Sequence, residues 1–337
     1  MATRLRFAAI GLDHRHIYHQ VGRLLELDCE CVGYWTEGEP QPLAGFLRRF
    51  PDLTRFENAD RQYEDPTIHL VVTAAIPDLR SGIAVRAMRH GKDVMVDKPG
   101  VVSLAQLREV ERVQTETGRI WSVNYSERFE VRAMTRVNEL IQAGAIGEVV
   151  HLTGFGPHRI NRQLRPPWFF ERARTGGILC DIASHQIDQF LHLTGAPDAD
   201  VVAAAVANRT NPDYPGFEDY GEVLLRAERS TGFSRVDWYT PDGLPTWGDG
   251  RLTVVGTGGY MDLRKYVDIA GAPGADHLFL VDNDGMRRVE CSDAPLPYYE
   301  ALVRDVHERT ATAMSQRHCF KVMELALRAQ AVAQRMQ

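Results

Sequence analysis

A lysine that directly follows a predicted buried strand is the first candidate for chemistry in this chain. The run from Val94 to Val96 is apolar, and Asp97, Lys98 and Pro99 come directly after it. Proline has no amide proton to continue a sheet ladder, so the strand is expected to end here. Open α/β sheets bind ligands beyond the carboxyl ends of their strands. Lys98 is therefore predicted at the mouth of a ligand-binding crevice, although a lone Lys-Pro pair is more often part of a solvated loop.

Asp181 and His185 form a second candidate pair. They are four residues apart in a predicted helix over 178–193, which follows Gly176-Gly177, and this spacing places them on one helix face. A carboxylate beside an imidazole fixes its tautomer and raises its basicity, as a general base requires. An ordinary exposed pair and a metal-binding pair are the alternatives. The spacing supplies no third ligand, so no metal site is expected.

A glycine turn near the amino terminus has the outline of a phosphate-binding turn. A predicted strand over 5–11 ends at Gly11, and a helical pattern follows. In the dinucleotide fingerprint Gly-x-Gly-x-x-Gly, Gly11 matches the first glycine, whereas Asp13 and His16 replace the other two. Asp13 adds bulk and negative charge where a pyrophosphate normally approaches the backbone. The turn, including His14, therefore predicts cofactor contacts only weakly.

The end of the second predicted strand bears on the choice of dinucleotide. Glu37 lies just beyond this strand, which is predicted over 31–35. An acid at this point usually accepts hydrogen bonds from the adenosine ribose and repels a 2′-phosphate. Thr36 could occupy the position instead, and a solvated Glu37 is equally consistent with the sequence. Because no arginine or lysine follows closely, we expect NAD rather than NADP.

The pattern of elements predicts an α/β protein of two domains. Strands alternate with helices over residues 1–123, which predicts a doubly wound parallel sheet. Residues 124–337 carry turn-separated strands that predict a second α/β domain with a large, mostly antiparallel open sheet. The stretch 299–337 is predicted to be helical throughout, and its last helix could pack back on the first domain.

Composition excludes several classes of protein. The net charge is -6 and the pI is about 6.1, so there is no basic surface typical of nucleic-acid or anionic-membrane binding. No apolar run is long enough to span a bilayer. A strand is predicted so close to the first residues that we expect no signal peptide there. The 5 cysteines are dispersed, which favours reduced thiols. The cytoplasm is the expected compartment.

Taken together, these motifs resemble those of the Gfo/Idh/MocA oxidoreductase family, which includes glucose-fructose oxidoreductase and inositol dehydrogenase. The resemblance covers nearly the whole chain. Four features match in order: the glycine turn, Asp97-Lys98-Pro99 where the family has Glu-Lys-Pro, Asn124-Tyr125 with Arg128-Phe129, and Gly176-Gly177 before Asp181-x-x-x-His185.

The resemblance implies a function and assigns roles to residues. It implies an NAD(P)-binding Rossmann domain and a second domain whose open sheet often joins subunits into homodimers or homotetramers. A hydride would pass between nicotinamide and a carbinol or carbonyl carbon of a sugar, polyol or related molecule. His185 would be the base, Asp181 would hold it or bind a hydroxyl, and Lys98 would stabilise the developing negative charge. The cofactor contacts would come from Gly11, Asp13, His14, Glu37, Lys98 and Pro99.

Substrate contacts are implied less firmly, and two other functions stay open. Tyr125, Arg128, Trp168 and His158 are candidates, the last within an arginine-rich loop over 158–165. One alternative is a lyase or glycosidase that oxidises its substrate only transiently. The other is a nucleotide-binding regulator without catalysis. Net production of NADH would separate the leading hypothesis from the first alternative.

Overall fold

The computed structural model describes residues 4–336, which form two compact units. The first unit contains the chain up to Asn124 together with residues 173–175 and 297–323. The second contains residues 125–172 and 176–296 and resumes at Glu324. Each unit has its own sheet.

The first unit is built on a five-stranded parallel sheet. Its strands are β1 (Arg6–Ile10), β2 (Glu30–Trp35), β3 (Leu70–Thr73), β4 (Asp93–Asp97) and β5 (Trp121–Asn124). The helices along this stretch are α1 (Ile17–Glu26), α2 (Leu43–Arg49), α3 (Asp60–Glu64), α4 (Pro77–Arg89) and α5 (Leu104–Thr117). The strand order is β2-β1-β3-β4-β5, so the chain changes direction across the sheet at β1 and β3. Ligands of open α/β sheets bind at the carboxyl ends of the strands beside such a switch point.

The buried strands explain why this sheet was predictable. Every residue of β3 and β4 is buried, as a parallel sheet covered on both faces requires. The register pairs Asp97 at the end of β4 with Asn124 at the end of β5. The polar residues that follow the apolar runs therefore collect at one edge of the sheet.

A nine-stranded sheet organises the second unit, in the order β13-β12-β11-β10-β6-β9-β8-β7-β14. Its strands are β6 (Val149–Pro157), β7 (Asp200–Ala207), β8 (Tyr220–Arg226), β9 (Thr231–Asp237), β10 (Arg251–Gly256), β11 (Gly259–Arg264), β12 (His277–Asp282), β13 (Gly285–Val289) and β14 (Gln334–Arg335). Neighbouring strands are antiparallel except for β6 with β9 and β7 with β14. The two sheets confirm the predicted fold class, although the sequence patterns did not predict β12 and β13.

The helices of the second unit along this stretch are α6 (Ser126–Phe129), α7 (Arg132–Gln142), α9 (Ile178–Asp181) and α10 (Ala183–Thr194), with 3-10 helices at Arg162–Leu164 and Pro167–Phe170. The short helix α8 (Arg172–Thr175) falls almost wholly in the first unit. The helix α10 packs closely on the sheet because the strands below it carry glycine. A Cβ at Gly232 of β9 would lie 2.6 Å from the ring of Phe190. Any larger residue there would push α10 away from the sheet.

The prediction of continuous helix over 299–337 was wrong. The structure has α11 (Tyr298–Glu308), a loop, α12 (Gln316–Val332) and then β14. Asp305 of α11 accepts hydrogen bonds from the hydroxyls of Thr310 and Thr312 in the loop, and Arg309 has a left-handed φ of 56°. Such side-chain hydrogen bonds compete with helical ones, which explains the break.

The segment 297–323 packs against β5 within the first unit. Tyr298 and Tyr299 bring their hydroxyls to Ser122 at 2.8 Å and to Asn124 at 2.9 Å, while Phe320 stacks on Trp121. Within residues 4–336, no helix combines the length and apolar character needed to cross a membrane.

Candidate functional site

The turn after β1 is shaped by a close approach of two backbones. Gly11 has a φ of +78°, and a Cβ there would lie 2.5 Å from the Cβ of Ala75, so only glycine fits. The Gly11 amide donates to the Trp35 carbonyl at 2.8 Å, and its carbonyl accepts from Ala74 at 3.1 Å. The turn is therefore hydrogen-bonded to the ends of both β2 and β3, at the switch point of the sheet.

The next residues test whether a dinucleotide fits this turn. The Leu12 amide donates to the hydroxyl of Thr36, which is buried at the end of β2. Burial raises the pKa of Asp13, against the lowering effects of a backbone hydrogen bond from Ile76 and of the charge on Arg80. The close approach that Gly11 allows at the switch point of the sheet fits a dinucleotide, with a turn altered at the second and third glycine positions.

Asp97 is the centre of a polar cluster at the carboxyl edge of the first unit's sheet. The carboxylate is fully buried, and its Oδ1 lies 2.8 Å from Nδ1 of His16. Its Oδ2 lies 3.3 Å from Nδ1 of His14 and 3.1 Å from Nη2 of Arg80. The two imidazole rings pack edge to face at 4.1 Å. His14 and His16 of the first turn therefore hold the acid of the Asp-Lys-Pro motif, a pairing that sequence reasoning did not predict.

Electrostatics keep this acid ionised. Burial alone would raise the pKa of Asp97, but the charges of His16 and Arg80 and the hydrogen bonds from both histidines hold it well below its usual range. Burial and the neighbouring His16 lower the pKa of His14 to about 3, so this ring is neutral at physiological pH. The cluster thus combines an anionic carboxylate, a neutral imidazole and a buried guanidinium.

Arg80 also fixes the backbone on which Lys98 stands. Besides its bond to Asp97, it donates through Nε to the Ala75 carbonyl at 2.7 Å and through Nη1 to the carbonyls of Asp97, Lys98 and Pro99. Lys98 is only 6% exposed and precedes Pro99 through a cis peptide bond. Sequence reasoning placed Lys98 at the end of β4, where the structure has it, but missed Arg80.

Arg55 contacts the loop after β2, a contact that the sequence alone did not predict. Glu37 is exposed there, as an acid facing a ribose would be. A β-bridge between Tyr34 and Arg55 brings a guanidinium to the same loop, although no arginine follows Glu37 closely in sequence. Arg55 donates to the Gly38 carbonyl at 2.7 Å and to the Glu39 carboxylate at 2.6 Å. Its charge is thus offset by Glu39.

In the second unit, Asp181 and His185 do not share one continuous helix, which corrects the predicted helix over 178–193. Asp181 ends α9, and α10 begins at Ala183. The hydroxyl of Ser184 donates to the Asp181 carbonyl at 3.2 Å, which takes over an acceptor that a continuous helix would use. The role of Asp181 as a partner of His185 stays a prediction.

A buried ion pair lies close to His185. Glu127 of α6 and Lys265, which follows β11, are joined by a contact of 2.7 Å between Oε2 and Nζ, and both side chains are almost fully buried. Gln186 donates to the same carboxylate oxygen at 3.1 Å, and Lys265 donates to Gln189 at 3.0 Å. Both glutamines belong to α10, so the pair anchors the helix that carries His185.

Glu127 carries the negative charge of this network. Burial would raise its pKa, but Lys265, His185 and His158 together lower the pKa of Glu127 to about 2. His185 is 1% exposed, and the ring of Tyr125 packs edge-on to it at 6.1 Å. Glu127 thus places a negative charge near the buried ring of His185.

Arg128, predicted to contact substrate, forms an internal ion pair. Its Nε and Nη2 lie 2.6 and 2.7 Å from the two carboxylate oxygens of Asp188, in a bidentate arrangement. Its guanidinium also covers the ring of Phe129 at 4.3 Å. These contacts account for the Arg-Phe motif by packing, and a substrate contact of Arg128 stays a prediction.

The other predicted substrate residues have different surroundings. Trp168 is half-buried, whereas Phe169, beside it, is a core residue packed on Trp238. His158 is half-buried, lies 3.0 Å from the Gly156 carbonyl through Nδ1, and packs against Trp247, which is 45% exposed.

The arginines of this loop have internal partners. Arg159 binds backbone carbonyls of residues 241–244, Arg162 pairs with Asp213 at 2.8 Å, and Arg165 covers the Phe169 ring at 4.3 Å. The richness of the loop in arginine is therefore explained without an anionic substrate.

Of the site residues that sequence reasoning missed, Lys265 could have been found from a pattern in the sequence. In β11 the buried residues alternate as Met261 and Leu263, and this period places Lys265 on the buried face. A lysine on a buried face requires a partner, so the alternation could have predicted the ion pair. Arg80 and Glu127 had no comparable pattern, because they lie in a helix and a short turn of helix.

Comparison with known proteins agrees with this arrangement. Residues 6–125 match the family model described as the oxidoreductase family with an NAD-binding Rossmann fold, and residues 134–262 match the GFO/IDH/MocA C-terminal domain. A crystal structure from Erwinia carotovora atroseptica SCRI1043, described as a candidate oxidoreductase, is 41% identical with a TM-score of 0.96 and covers 99% of this chain and 100% of its own.

Two curated relatives are similar over different lengths. The uncharacterized oxidoreductase YdgJ of Escherichia coli K12 is 33% identical over 150 residues, which are 44% of this chain and 42% of YdgJ. The scyllo-inositol 2-dehydrogenase (NAD(+)) of Bacillus subtilis is 26% identical over 290 residues, 84% of this chain and 81% of that enzyme. With residues 6–125 and 134–262 matched by its two family models, this chain belongs to the Gfo/Idh/MocA family of oxidoreductases, whose first domain is an NAD-binding Rossmann fold.

Proposed function

We propose that the chain is a dehydrogenase that transfers a hydride between NAD(H) and a carbinol or carbonyl carbon of a sugar or polyol. The observation that carries this proposal is the position of Lys98. It is a nearly buried lysine at the carboxyl end of β4, beside the glycine turn at the switch point of the sheet. The relative from Bacillus subtilis, whose name gives scyllo-inositol and NAD(+), supports both the substrate class and the cofactor.

The chain's own residues supply orientation and proton transfer. NAD supplies the carbon that accepts or donates the hydride. Gly11, Asp13, His14, Glu37, Lys98 and Pro99 would hold it at the edge of the first unit's sheet. Lys98, whose backbone Arg80 fixes, stabilises the negative charge that develops on the substrate oxygen.

His185 is the residue that takes the hydroxyl proton. It is buried on α10 near an ionised Glu127, which stabilises the imidazolium that results. Asp181 precedes α10 and would bind a second hydroxyl or hold His185. Tyr125, whose ring packs edge-on to His185, would be a substrate contact beside it.

We further propose that NAD is preferred to NADP. Glu37 is exposed at the end of β2, and the one guanidinium described at this loop is already paired with Glu39 at 2.6 Å. A 2′-phosphate would therefore meet a negative side chain and a neutralised arginine.

The proposal includes association into homodimers or homotetramers through the open face of the nine-stranded sheet. Leu224, Phe233 and Thr153 lie side by side in register on the face opposite α10, and each is half-buried in the single chain. Light scattering should show an oligomer at micromolar concentration, and Phe233→Glu should shift it to a monomer. A wild-type monomer would overturn this part of the proposal.

The activity is tested by incubating the full chain with NAD and a panel of cyclic polyols and aldoses. Net NADH should accumulate with at least one of them, which separates a dehydrogenase from an enzyme that oxidises transiently. Lys98→Met should lower kcat by roughly 10²–10³-fold. Lys321→Met, at a half-buried lysine of α12, is the matched control and should leave kcat unchanged. Product without net NADH, or equal loss in both variants, would overturn the proposal.

A further inference from the structure

Three side chains with metal-binding groups meet at the carboxyl edge of the first unit's sheet. His14 and His16 come from the turn after β1, and Asp97 ends β4. One ligand atom from each, either a ring nitrogen or a carboxylate oxygen, lies within 4.8 Å of the other two. We propose that these three residues form a binding site for a divalent transition-metal ion such as Zn²⁺. This site departs from the sequence-based expectation that no metal is bound.

The donor set decides which ions fit. Imidazole nitrogen suits zinc, copper, iron and nickel, whereas magnesium and calcium prefer oxygen alone. Two imidazoles and one carboxylate therefore select a transition metal. Three protein ligands also leave at least one coordination position for water or another oxygen ligand, as in metal sites that bind a further group.

The distances agree with a site close to the arrangement that zinc requires. Nδ1 of His14 lies 3.3 Å from Oδ2 of Asp97, and Nδ1 of His16 lies 2.8 Å from Oδ1. Ligands bound tetrahedrally at about 2.0–2.1 Å from zinc are about 3.3 Å apart. The His14–Asp97 separation thus matches the separation that a common metal ion would impose, whereas the His16–Asp97 separation is shorter and would lengthen when a metal binds.

Arg80, which would not itself bind the metal, holds the carboxylate of Asp97 in place. Arg80 is buried, and its Nη2 lies 3.1 Å from Oδ2 of Asp97 while its Nη1 donates to the Asp97 carbonyl at 2.9 Å. Ligating carboxylates in metalloproteins are oriented by such hydrogen bonds. The positive charge of Arg80 opposes the metal ion, so we expect weaker binding than at a site whose outer partners are neutral.

The competing explanation is a hydrogen-bond network without metal. In that case both rings donate Nδ1–H to Asp97, and the cluster serves only to hold the turn after β1. In the metal-bound form the proton of each ring sits on Nε2, and Nδ1 presents its lone pair to the ion. A metal titration separates the two explanations and needs no dinucleotide or substrate, so its result is independent of the proposed function.

The experiment uses the full chain after dialysis against a chelator, titrated calorimetrically with zinc chloride. One saturable site is expected, and cobalt(II) at the same site should show the visible absorption of a low-coordinate ion. His14→Gln and His16→Gln should each weaken zinc binding by more than about 100-fold, because losing a direct ligand costs more than the 10–100-fold loss known for outer partners. His19→Gln changes an exposed histidine of α1 and should bind zinc like the wild type.

Three results would overturn the proposal: no saturable zinc binding by the wild type, unchanged binding in both ligand variants, or equal loss in His19→Gln. The two ligand variants retain the buried Arg80–Asp97 pair and are preferred to Asp97→Asn, which would leave a buried guanidinium without its carboxylate. Thermal unfolding of each variant confirms that it is folded before its zinc affinity is compared.

Discussion

Asp97 in the first unit and Glu127 in the second are both buried carboxylates that their neighbours keep ionised, yet their partners differ in exposure. Besides the buried Arg80, Asp97 contacts two imidazoles that are 28% and 36% exposed, whereas Lys265, which contacts Glu127, is 0% exposed. The Asp97 cluster is therefore open to a ligand on one side, and the Glu127 cluster is closed.

The difference shows that the burial of a carboxylate does not by itself reveal its role. An acid with exposed partners can hold groups that meet a ligand, while an acid with buried partners supports a neighbouring element, here α10. We accordingly assign ligand binding to the Asp97 cluster and the positioning of His185 to the Glu127 cluster.

The largest effect is expected from the catalytic residue that the closed cluster supports. His185→Asn should lower kcat by roughly 10²–10⁴-fold, the usual contribution of a general base, while KM changes little. His192→Asn, at a half-buried histidine of the same helix, is the control. Steady-state kinetics on the substrate found in the polyol panel measures both, and equal rates for wild type and His185→Asn would remove His185 from the mechanism.

Breaking the closed pair should cost stability. Lys265→Met leaves Glu127 buried without its partner and should lower the free energy of unfolding by about 3–5 kcal/mol, as measured by urea denaturation. The double variant Lys265→Met/Glu127→Leu should recover much of this loss, because no buried charge remains. Arg229→Met, which breaks an exposed pair with Glu148, should change little. A similar small change in Lys265→Met would show that the cluster is not closed.

The same pair should make stability depend on pH. The pKa of Glu127 falls from 4.5 to about 2 on folding, so its ionisation stabilises the fold above pH 4.5, and this stabilisation is lost as the pH falls toward 2. Glu127→Gln should therefore be less stable than the wild type near neutral pH, with a difference that shrinks on acidification. A difference that is constant between about pH 6 and about pH 3 would contradict the assignment.

The smallest effect is expected at the open edge, where charges are exposed. Wild type should bind NADH more tightly than NADPH, and Glu37→Gln should narrow the ratio by less than about tenfold, since exposed charges contribute roughly 0–1 kcal/mol. Calorimetric titration with both dinucleotides measures the ratio. Tighter binding of NADPH by the wild type would show that Arg55 serves the 2′-phosphate.

The fold and part of the site could be predicted because their signals are local. The apolar run before Lys98, the glycine turn and the alternation of strands and helices each lie within a short stretch, so the parallel sheet followed from them. The break at Ile182 and the loop after Glu308 did not follow from local patterns. At the first, the Ser184 hydroxyl donates to the Asp181 carbonyl, and in the second the Asp305 carboxylate accepts hydrogen bonds from Thr310, Thr312 and Ala313.

The partners of both acids were hidden for a different reason. Arg80 reaches Asp97 across 17 positions of sequence, and Lys265 reaches Glu127 across 138. Pairing over such separations is set by how strands and helices pack. Only the period of β11, which places Lys265 on a buried face, gave a local signal.

The most direct test of the central claim, that the carboxyl edge of the first unit's sheet binds a dinucleotide, is a fluorescence titration of the full chain with NADH. We expect saturable binding by the wild type and a marked loss in Gly11→Ala, where the added Cβ would lie 2.5 Å from Ala75. Gly82→Ala, with open space around its Cβ, should bind like the wild type. No saturable binding of NADH or NADPH by the wild type would contradict the account.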